Sequence, residues 1–248
     1  MELGKEMHYH PHFFAIYIND LLLELNSIDS GISIPNQNIS CPAYADDIVI
    51  IASSPSNLNI LLKTTEAWCK NWLLELNIDK TQIVHFRPNR IPRTGHKFHM
   101  NNQQLINVPN YKYLGVLFDE HLTFEHAVKT LSTAAGRALG SVCSKFKLMT
   151  EMGFNTFNTL CNNCVIPVMN YGFEIWGCNK FIKAQSVHNR ATHFYSGVHK
   201  FASNHAIQGD IAWINCNTRW SINIVRYWNR LIKMENSRLT KKSIQLGF

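Results

Sequence analysis

Two adjacent carboxylates set between two short apolar runs constrain this chain more than any other feature. Residues 39–53 read Ile39-Ser40-Cys41-Pro42-Ala43-Tyr44-Ala45-Asp46-Asp47-Ile48-Val49-Ile50-Ile51-Ala52-Ser53, with no lysine or arginine among them. Apolar runs of four or five residues, rich in isoleucine and valine on the far side, suit strands buried in a sheet. Aspartate is depleted inside strands and favoured in turns, so Asp46 and Asp47 are expected at the tip of a tight hairpin. Carboxylates held that close repel, and protonation or a cation must offset the repulsion. Mg²⁺ fits, because it takes oxygen ligands, uses one or two carboxylates, and leaves its other positions to water and substrate phosphates. The plain alternative is a solvated turn with no ligand.

With 248 residues the chain is long enough for one large or two modest domains, and 46% hydrophobic with 17% charged residues describes a globular protein. No run approaches the roughly 18 to 20 apolar residues that span a bilayer. The start lacks the basic and apolar segments of a signal peptide, so an intracellular protein is expected. Seven scattered cysteines are expected as free thiols. Cys161 and Cys164, with Cys178 and His188 downstream, can be written as a zinc site, but the spacing is not a recognised one and the apolar helical pattern around them favours core packing.

Charge is distributed unevenly. Residues 1–80 hold four Lys/Arg and ten Asp/Glu, net −6; residues 81–248 hold twenty and seven, net +13, which together give the +7 of the whole. Basic surface interleaved with aromatics is the footprint of a nucleic-acid partner.

Along the chain, Phe13 to Leu25 has helical apolar spacing. Ile32-Ser33-Ile34 reads as a short strand. Ser54-Pro55 starts a helix whose apolar face is Leu58, Leu61, Leu62, Thr65, Cys69, Trp72, Leu73 and Leu76. A strand is expected over Ile83–Phe86, then a basic loop from Arg87 to Lys97 suited to phosphate contact. A hairpin follows over Phe98–Ile106, and a single strand over Tyr111–Phe118, whose interior Gly115 marks close backbone approach or a bulge. From Thr123 onward helices are expected, the first lined by Phe124, Ala127, Val128, Leu131, Ala135, Leu139 and Val142. The second is kinked or ended by Pro167. The last, Arg219 to Asn236, is expected to turn Ile222, Val225, Trp228 and Ile232 inward and Arg219, Arg226, Arg230 and Lys233 outward. The texture changes near residue 122, which divides the chain into an α+β part, 1–122, and an all-helical part, 123–248.

Four motifs then occur in one order: Pro11 to Leu21, Tyr44-Ala45-Asp46-Asp47, Trp72 to Asn77 with Lys80-Thr81, and Tyr111-Lys112-Tyr113-Leu114-Gly115-Val116. With Leu122 to His126 and Pro167 to Gly177 beyond, the succession resembles the reverse transcriptases of non-LTR (LINE-type) retrotransposons. The resemblance implies the second half of a polymerase palm, an antiparallel sheet with covering helices, followed by a helical thumb and post-thumb region. It implies Asp46 and Asp47 as catalytic metal ligands in a two-Mg²⁺ site, with Tyr44 and Ala45 near the primer terminus. Lys80 would act on the departing pyrophosphate, and Tyr113, Leu114 and Gly115 would hold the primer end. RNA template, DNA primer and dNTP are the implied partners, and the nucleus the implied compartment.

The family pattern also needs an aspartate on a strand well upstream, and the 45 residues before Asp46 offer only Glu2, Glu6, Asp20, Glu24 and Asp29, none in that context. The expectation is therefore a polymerase fragment that does not polymerise DNA alone. A non-catalytic basic nucleic-acid-binding module is the competing reading, and a decayed reading frame a third. A palm-like nucleotide cyclase would also use acidic hairpins, but the basic helical half argues against it.

Overall fold

The computed structural model describes residues 11–34, 37–45, 47–149, 153–199, 201–235, 238, 240 and 241, with 11–15, 34 and 37 described by backbone alone. They fall into two compact units. The first takes the described residues up to Ile83, Pro92–Val108 and those from Met234; the second takes Val84–Ile91 and Pro109–Lys233. A division at residue 122 falls inside the second unit.

In the first unit, α1 (Pro11–Ser27) buries Ile18, Leu21 and Leu25, which share one helical face. β1 (Ile32–Ile34) pairs antiparallel with β2 (Gln37–Ile39), and β3 (Ala43–Tyr44) with β4 (Asp47–Ile48). Helix α2 (Pro55–Asn71) starts as its sequence dictates: the Ser54 hydroxyl accepts the Asn57 N–H at 3.1 Å, and Pro55, which has no N–H to lose, fills the first turn. It buries Leu61, Leu62, Thr65, Trp68 and Cys69. The expected stripe does not continue through Trp72 and Leu73. The helix stops at Asn71, Leu73 turns left-handed (φ +54°), and its side chain is 92% exposed.

A 3₁₀ turn comes next, over Ile78–Lys80. The strand expected over Ile83–Phe86 shrinks to β5 (Gln82–Ile83). β6 (His99–Met100) and β7 (Gln103–Gln104) form the expected hairpin, its Asn101-Asn102 turn left-handed at both residues. β8 (Ile106–Asn107) runs parallel to β5. That ladder ends where the Val108 N–H reaches the Ile83 carbonyl at 2.9 Å. Two small cores result. Ile18, Leu21, Leu25, Cys41, Leu61, Trp68 and Cys69 form one; Leu62, Ile83, Phe98, Met100 and Leu105 form the other; Ile50 packs against both.

In the second unit, β9 (Asn110–Tyr113) and β10 (Val116–Asp119) form an antiparallel hairpin in which Tyr113 faces Val116. This corrects the expectation of one strand over Tyr111–Phe118, because Leu114 and Gly115 both take positive φ and reverse the chain. Helix α3 (Glu125–Leu148) comes after it and buries Ala127, Val128, Ala135, Leu139 and Val142. α4 (Phe154–Leu160) passes through a π turn, Cys161–Val165, into α5 (Ile166–Met169). Pro167 thus neither ends nor breaks the run: the widened turn absorbs its missing N–H and the bulk of its ring. Then come α6 (Phe173–Trp176), α7 (Ile182–Ser196), α8 (Asn204–Asp210) and α9 (Cys216–Ile232).

One core spans these helices, with Leu139, Phe157, Trp176 and Trp220 fully buried. Asparagine carbonyls satisfy its indoles: Trp213 Nε1 donates to Asn158 at 2.7 Å and Trp220 Nε1 to Asn170 at 2.8 Å. That second bond, with the Trp176–Trp220 edge contact at 5.0 Å, sets the rotation of α9. Cys216, Trp220 and Leu231 therefore face in, and Ile222, Val225 and Ile232, expected inside, face out. All seven cysteines are free.

The architecture is α+β, and among the described residues no strand follows Asp119. The expected continuous antiparallel sheet is instead five two-stranded pairs among the described residues, four antiparallel and one parallel. The strands run only two to four residues, too short to support wider ladders.

Candidate functional site

The acidic hairpin turns in two residues. Tyr44 is paired with Asp47 and Ala43 with Ile48. Backbone bonds carry the ladder further down, from the Val49 N–H to the Pro42 carbonyl (2.9 Å) and from the Ile51 N–H to the Ser40 carbonyl (2.7 Å). Ala45 has φ +52°. Two-residue loops that match strand twist need a positive φ at the first loop residue, a conformation costing an alanine about 1–2 kcal/mol. The two acids are therefore not both on the tip. Asp47 opens β4 opposite Tyr44, and Asp46 lies outside the described residues.

Directly paired residues project to the same face of a ladder, so Tyr44 and Asp47 share one. Both are exposed, Tyr44 at 66%. Among the described residues the Asp47 carboxylate makes no hydrogen bond or ion pair. The hairpin is rooted on the other side: Ser40 and Cys41 are buried, and Ile48 and Ile50 pack on the first core. Burial pushes the Cys41 thiol up to about 11, so it is a core residue with no thiolate chemistry at neutral pH. Ile48 to Ile51 are half-buried, not the buried run expected, because two strands leave a face and two edges open.

Among the described residues no three His, Cys, Asp or Glu side chains gather as a metal site. Asp47 nevertheless fits a hard cation: it offers an unpaired carboxylate in water, and Mg²⁺ needs only one or two such ligands from a protein.

Lys80 closes the 3₁₀ turn of the same unit. Asn77 Oδ1 accepts the Lys80 N–H at 3.1 Å, and the Thr81 hydroxyl donates to the Asn77 carbonyl at 2.8 Å. Two polar residues of the Asn77…Lys80-Thr81 motif thus shape the turn, while the Lys80 ammonium stays exposed and out of ion-pair range of Asp47.

Tyr113, Leu114 and Gly115 fall in the second unit. Leu114 (φ +45°) and Gly115 (φ +83°) make the two-residue turn between β9 and β10. A leucine is unusual at the first position of such a turn, where asparagine, aspartate or glycine is preferred. Tyr171, 57 residues on, donates its hydroxyl to the Leu114 carbonyl at 2.8 Å. Its ring lies so close to Gly115 that a Cβ there would stand 2.8 Å from Cε1; a Cβ on Gly172 (φ +67°) would stand 2.7 Å from Val116 Cγ2. Buried Trp176 fixes Tyr171 in turn, its Nε1 donating to the Tyr171 carbonyl at 3.0 Å. The resemblance marks both motifs; no spacing in the sequence joins them.

At the junction between β10 and α3, the resemblance marks the segment from Leu122 but not Asp119, which organises it. Asp119 accepts backbone N–H groups from His121 (2.9 Å), Thr123 (3.2 Å) and Phe124 (2.9 Å) and the Thr123 hydroxyl (3.0 Å), which fixes the entry to α3. Partial burial raises its pKa, the four donors lower it, and the net shift is downward. Arg87, expected in a phosphate-binding loop, is instead nearly buried against Glu120 at 3.1 Å, with His121 beside it.

Residues 7–118 match the family described as reverse transcriptase (RNA-dependent DNA polymerase). The chain is 25% identical over 197 residues to a protein of Drosophila melanogaster described as a probable RNA-directed DNA polymerase from transposon BS, covering 76% of this chain and 22% of that protein. It is 26% identical to the probable RNA-directed DNA polymerase from transposon X-element of the same fly (68% of this chain, 19% of that one), and 24% identical to the RNA-directed DNA polymerase from mobile element jockey (67% and 18%). The matched stretch thus spans about a fifth of the length of these relatives. No solved structure matches the chain. The chain is thus similar to proteins described as RNA-directed DNA polymerases of transposons, and residues 7–118 carry the part of it that matches the reverse transcriptase family.

Proposed function

We propose that this chain is a stretch of an RNA-directed DNA polymerase that contributes the acidic hairpin and the primer-holding turn to two-metal nucleotidyl transfer. One observation carries the reading: inside the matched stretch, Asp47 stands exposed and unpaired beside Tyr44 at a two-residue hairpin. In this reading residues 1–122 correspond to part of the palm and 123–248 to the thumb and post-thumb. The compact units cut the chain differently because the β9–β10 hairpin packs with the helices. Asp46 and Asp47 hold Mg²⁺. When bound, the metal supplies the charge that favours attack by the primer 3′ oxygen and departure of pyrophosphate. Tyr44 and small Ala45 border the primer terminus, Lys80 meets the leaving pyrophosphate, and Tyr113, Leu114 and Gly115 seat the primer end. RNA template, DNA primer and dNTP are the ligands, and the nucleus is the compartment that the resemblance implies. Among the described residues no helix is long and apolar enough to cross a membrane.

Two-metal geometry needs carboxylates from more than one strand, so the 248 residues alone are expected to give no primer extension on an RNA template with Mg²⁺. A longer polypeptide that adds an upstream acidic strand is expected to extend, and to stop on Asp46→Asn. Robust incorporation by the chain alone would refute the need for that strand.

A second reading, a basic nucleic-acid-binding module without catalysis, draws on α9. That helix contains no acidic residue, and Arg226, Arg230 and Lys233 recur along one stripe beside the exposed Ile222 and Val225, whereas Arg219, expected outside, is half-buried and donates to Asn162 Oδ1 at 2.8 Å.

A further inference from the structure

The Leu114–Gly115 turn is a strained loop with an external support. Two consecutive left-handed residues, one of them leucine, are not what this sequence adopts unaided. The support comes from Tyr171: its hydroxyl takes the Leu114 carbonyl at 2.8 Å, and its ring occupies the space a Cβ of Gly115 would need. Gly172 does the reciprocal, leaving room for Val116 Cγ2 where a Cβ would stand at 2.7 Å. The two glycines therefore let each backbone reach the other side, and Trp176 Nε1 ties the Tyr171 carbonyl (3.0 Å) to the buried core of the unit. Tyr171 itself stays 51% exposed. Only about half of its area leaves water, and the Leu114 carbonyl could accept a water in place of its hydroxyl. The contact thus contributes shape to the turn more than stability to the fold.

We propose that Tyr171 is a positioning residue that holds the Leu114–Gly115 turn in the conformation that seats a primer 3′ end. This rests on the reading of Tyr113, Leu114 and Gly115 as the primer-holding turn. The turn alone would sample other shapes; the Tyr171 bond selects one and links it through Trp176 to the helical core. A phenylalanine keeps the ring against Gly115 and removes only the bond.

The test uses the full 248-residue chain and its Tyr171→Phe variant. The probe is an RNA–DNA hybrid with a recessed DNA 3′ end, with a blunt hybrid of the same sequence as control. In the variant, amide exchange at Gly115 and Val116 is expected to quicken by about tenfold, the factor that about 1.4 kcal/mol of lost hydrogen bonding gives. Preference for the recessed over the blunt hybrid should fall several-fold, while the thermal midpoint drops by no more than a few degrees and blunt-hybrid affinity stays as in the wild type. Unchanged exchange would overturn the proposal by showing that the hydroxyl does not hold the turn. Quickened exchange with the preference retained would overturn it too, leaving a latch without a role in positioning. A wild-type chain with no preference for the recessed end would bring down the primer-holding reading and the proposal with it. That failure is distinguishable, because the exchange response is read without nucleic acid.

Discussion

The two hairpins that carry the proposed chemistry turn in the same number of residues and are supported in opposite ways. At Tyr44–Asp47 the strands are rooted by Ile48 and Ile50, while Tyr44 and Asp47 are exposed and the Asp47 carboxylate has no partner among the described residues. At Tyr113–Val116 the turn itself is gripped by Tyr171, Gly172 and, behind them, Trp176. A carboxylate that takes up a cation must keep its lone pairs unspent, so an open tip suits it. A backbone turn that seats a polymer end works by shape, and shape in a strained turn needs a scaffold.

The comparison breaks most forcefully at Trp176. Its side chain is fully buried, contacts Trp220 and Phe181 edge-on, and holds the Tyr171 carbonyl. Trp176→Ala should cost about 3–5 kcal/mol, the usual loss for a large buried aromatic. It should also free the Leu114–Gly115 turn, while the acidic hairpin, rooted in a different core, keeps its chemical shifts. Chemical denaturation with amide spectra of both hairpins measures it; equal disturbance of the two would erase the distinction.

Acid reaches the same core by another route. His188 is buried against Trp213, 5.3 Å between ring centres, and its Nε2 has no hydrogen-bond partner among the described residues. Burial first, and then the Arg219 charge, lower its pKa from 6.5 to about 4. The folded state thus prefers the neutral ring, and between those values the unfolded chain binds the extra proton. Stability from this group is complete above about pH 6.5 and is lost as pH falls toward 4, by roughly 3 kcal/mol at most. Urea midpoints at about pH 7, 5 and 4 should fall along that path, and more shallowly in His188→Leu. Parallel pH slopes in the two proteins would remove His188 from the account.

How much the sequence disclosed depends on range. The Ser54-Pro55 start of α2 and the Tyr44–Asp47 reversal are set by neighbours within about four residues, and both were legible. The Leu114–Gly115 turn reads as strand interior, because β-forming residues flank Gly115 on both sides and the residue that stabilises its left-handed leucine lies 57 positions away. The same holds for Arg87, whose partner Glu120 has no local signature. In α9 the periodicity is real but double. Apolar side chains line two faces, and the Trp220–Asn170 hydrogen bond decides which one is covered. Of the site, residue types and their order were legible; which backbone supports which turn was not.

The smallest expected change in stability is the most informative about chemistry. Asp47 has no partner among the described residues, so Asp47→Asn removes no contact and should leave folding within about 0.5 kcal/mol of wild type. Were Asp47 structural, its loss would expose an unmatched donor and cost more. Two titrations on the folded variant then separate the readings. With Mg²⁺, the Tyr44 and Ile48 amides of the wild type should shift at concentrations on the order of millimolar, as suits one or two exposed carboxylates, and those of Asp47→Asn should shift less. With an RNA–DNA hybrid over a range of salt, the basic stripe of α9 predicts binding that weakens with salt equally in both proteins, since phosphate contacts by Arg226, Arg230 and Lys233 release the same counterions. A variant that folds and binds nucleic acid as before, but no longer responds to Mg²⁺, would assign the open hairpin to the metal and the helices to the strand. A variant that responds to Mg²⁺ unchanged would reduce Asp47 to a solvated turn residue.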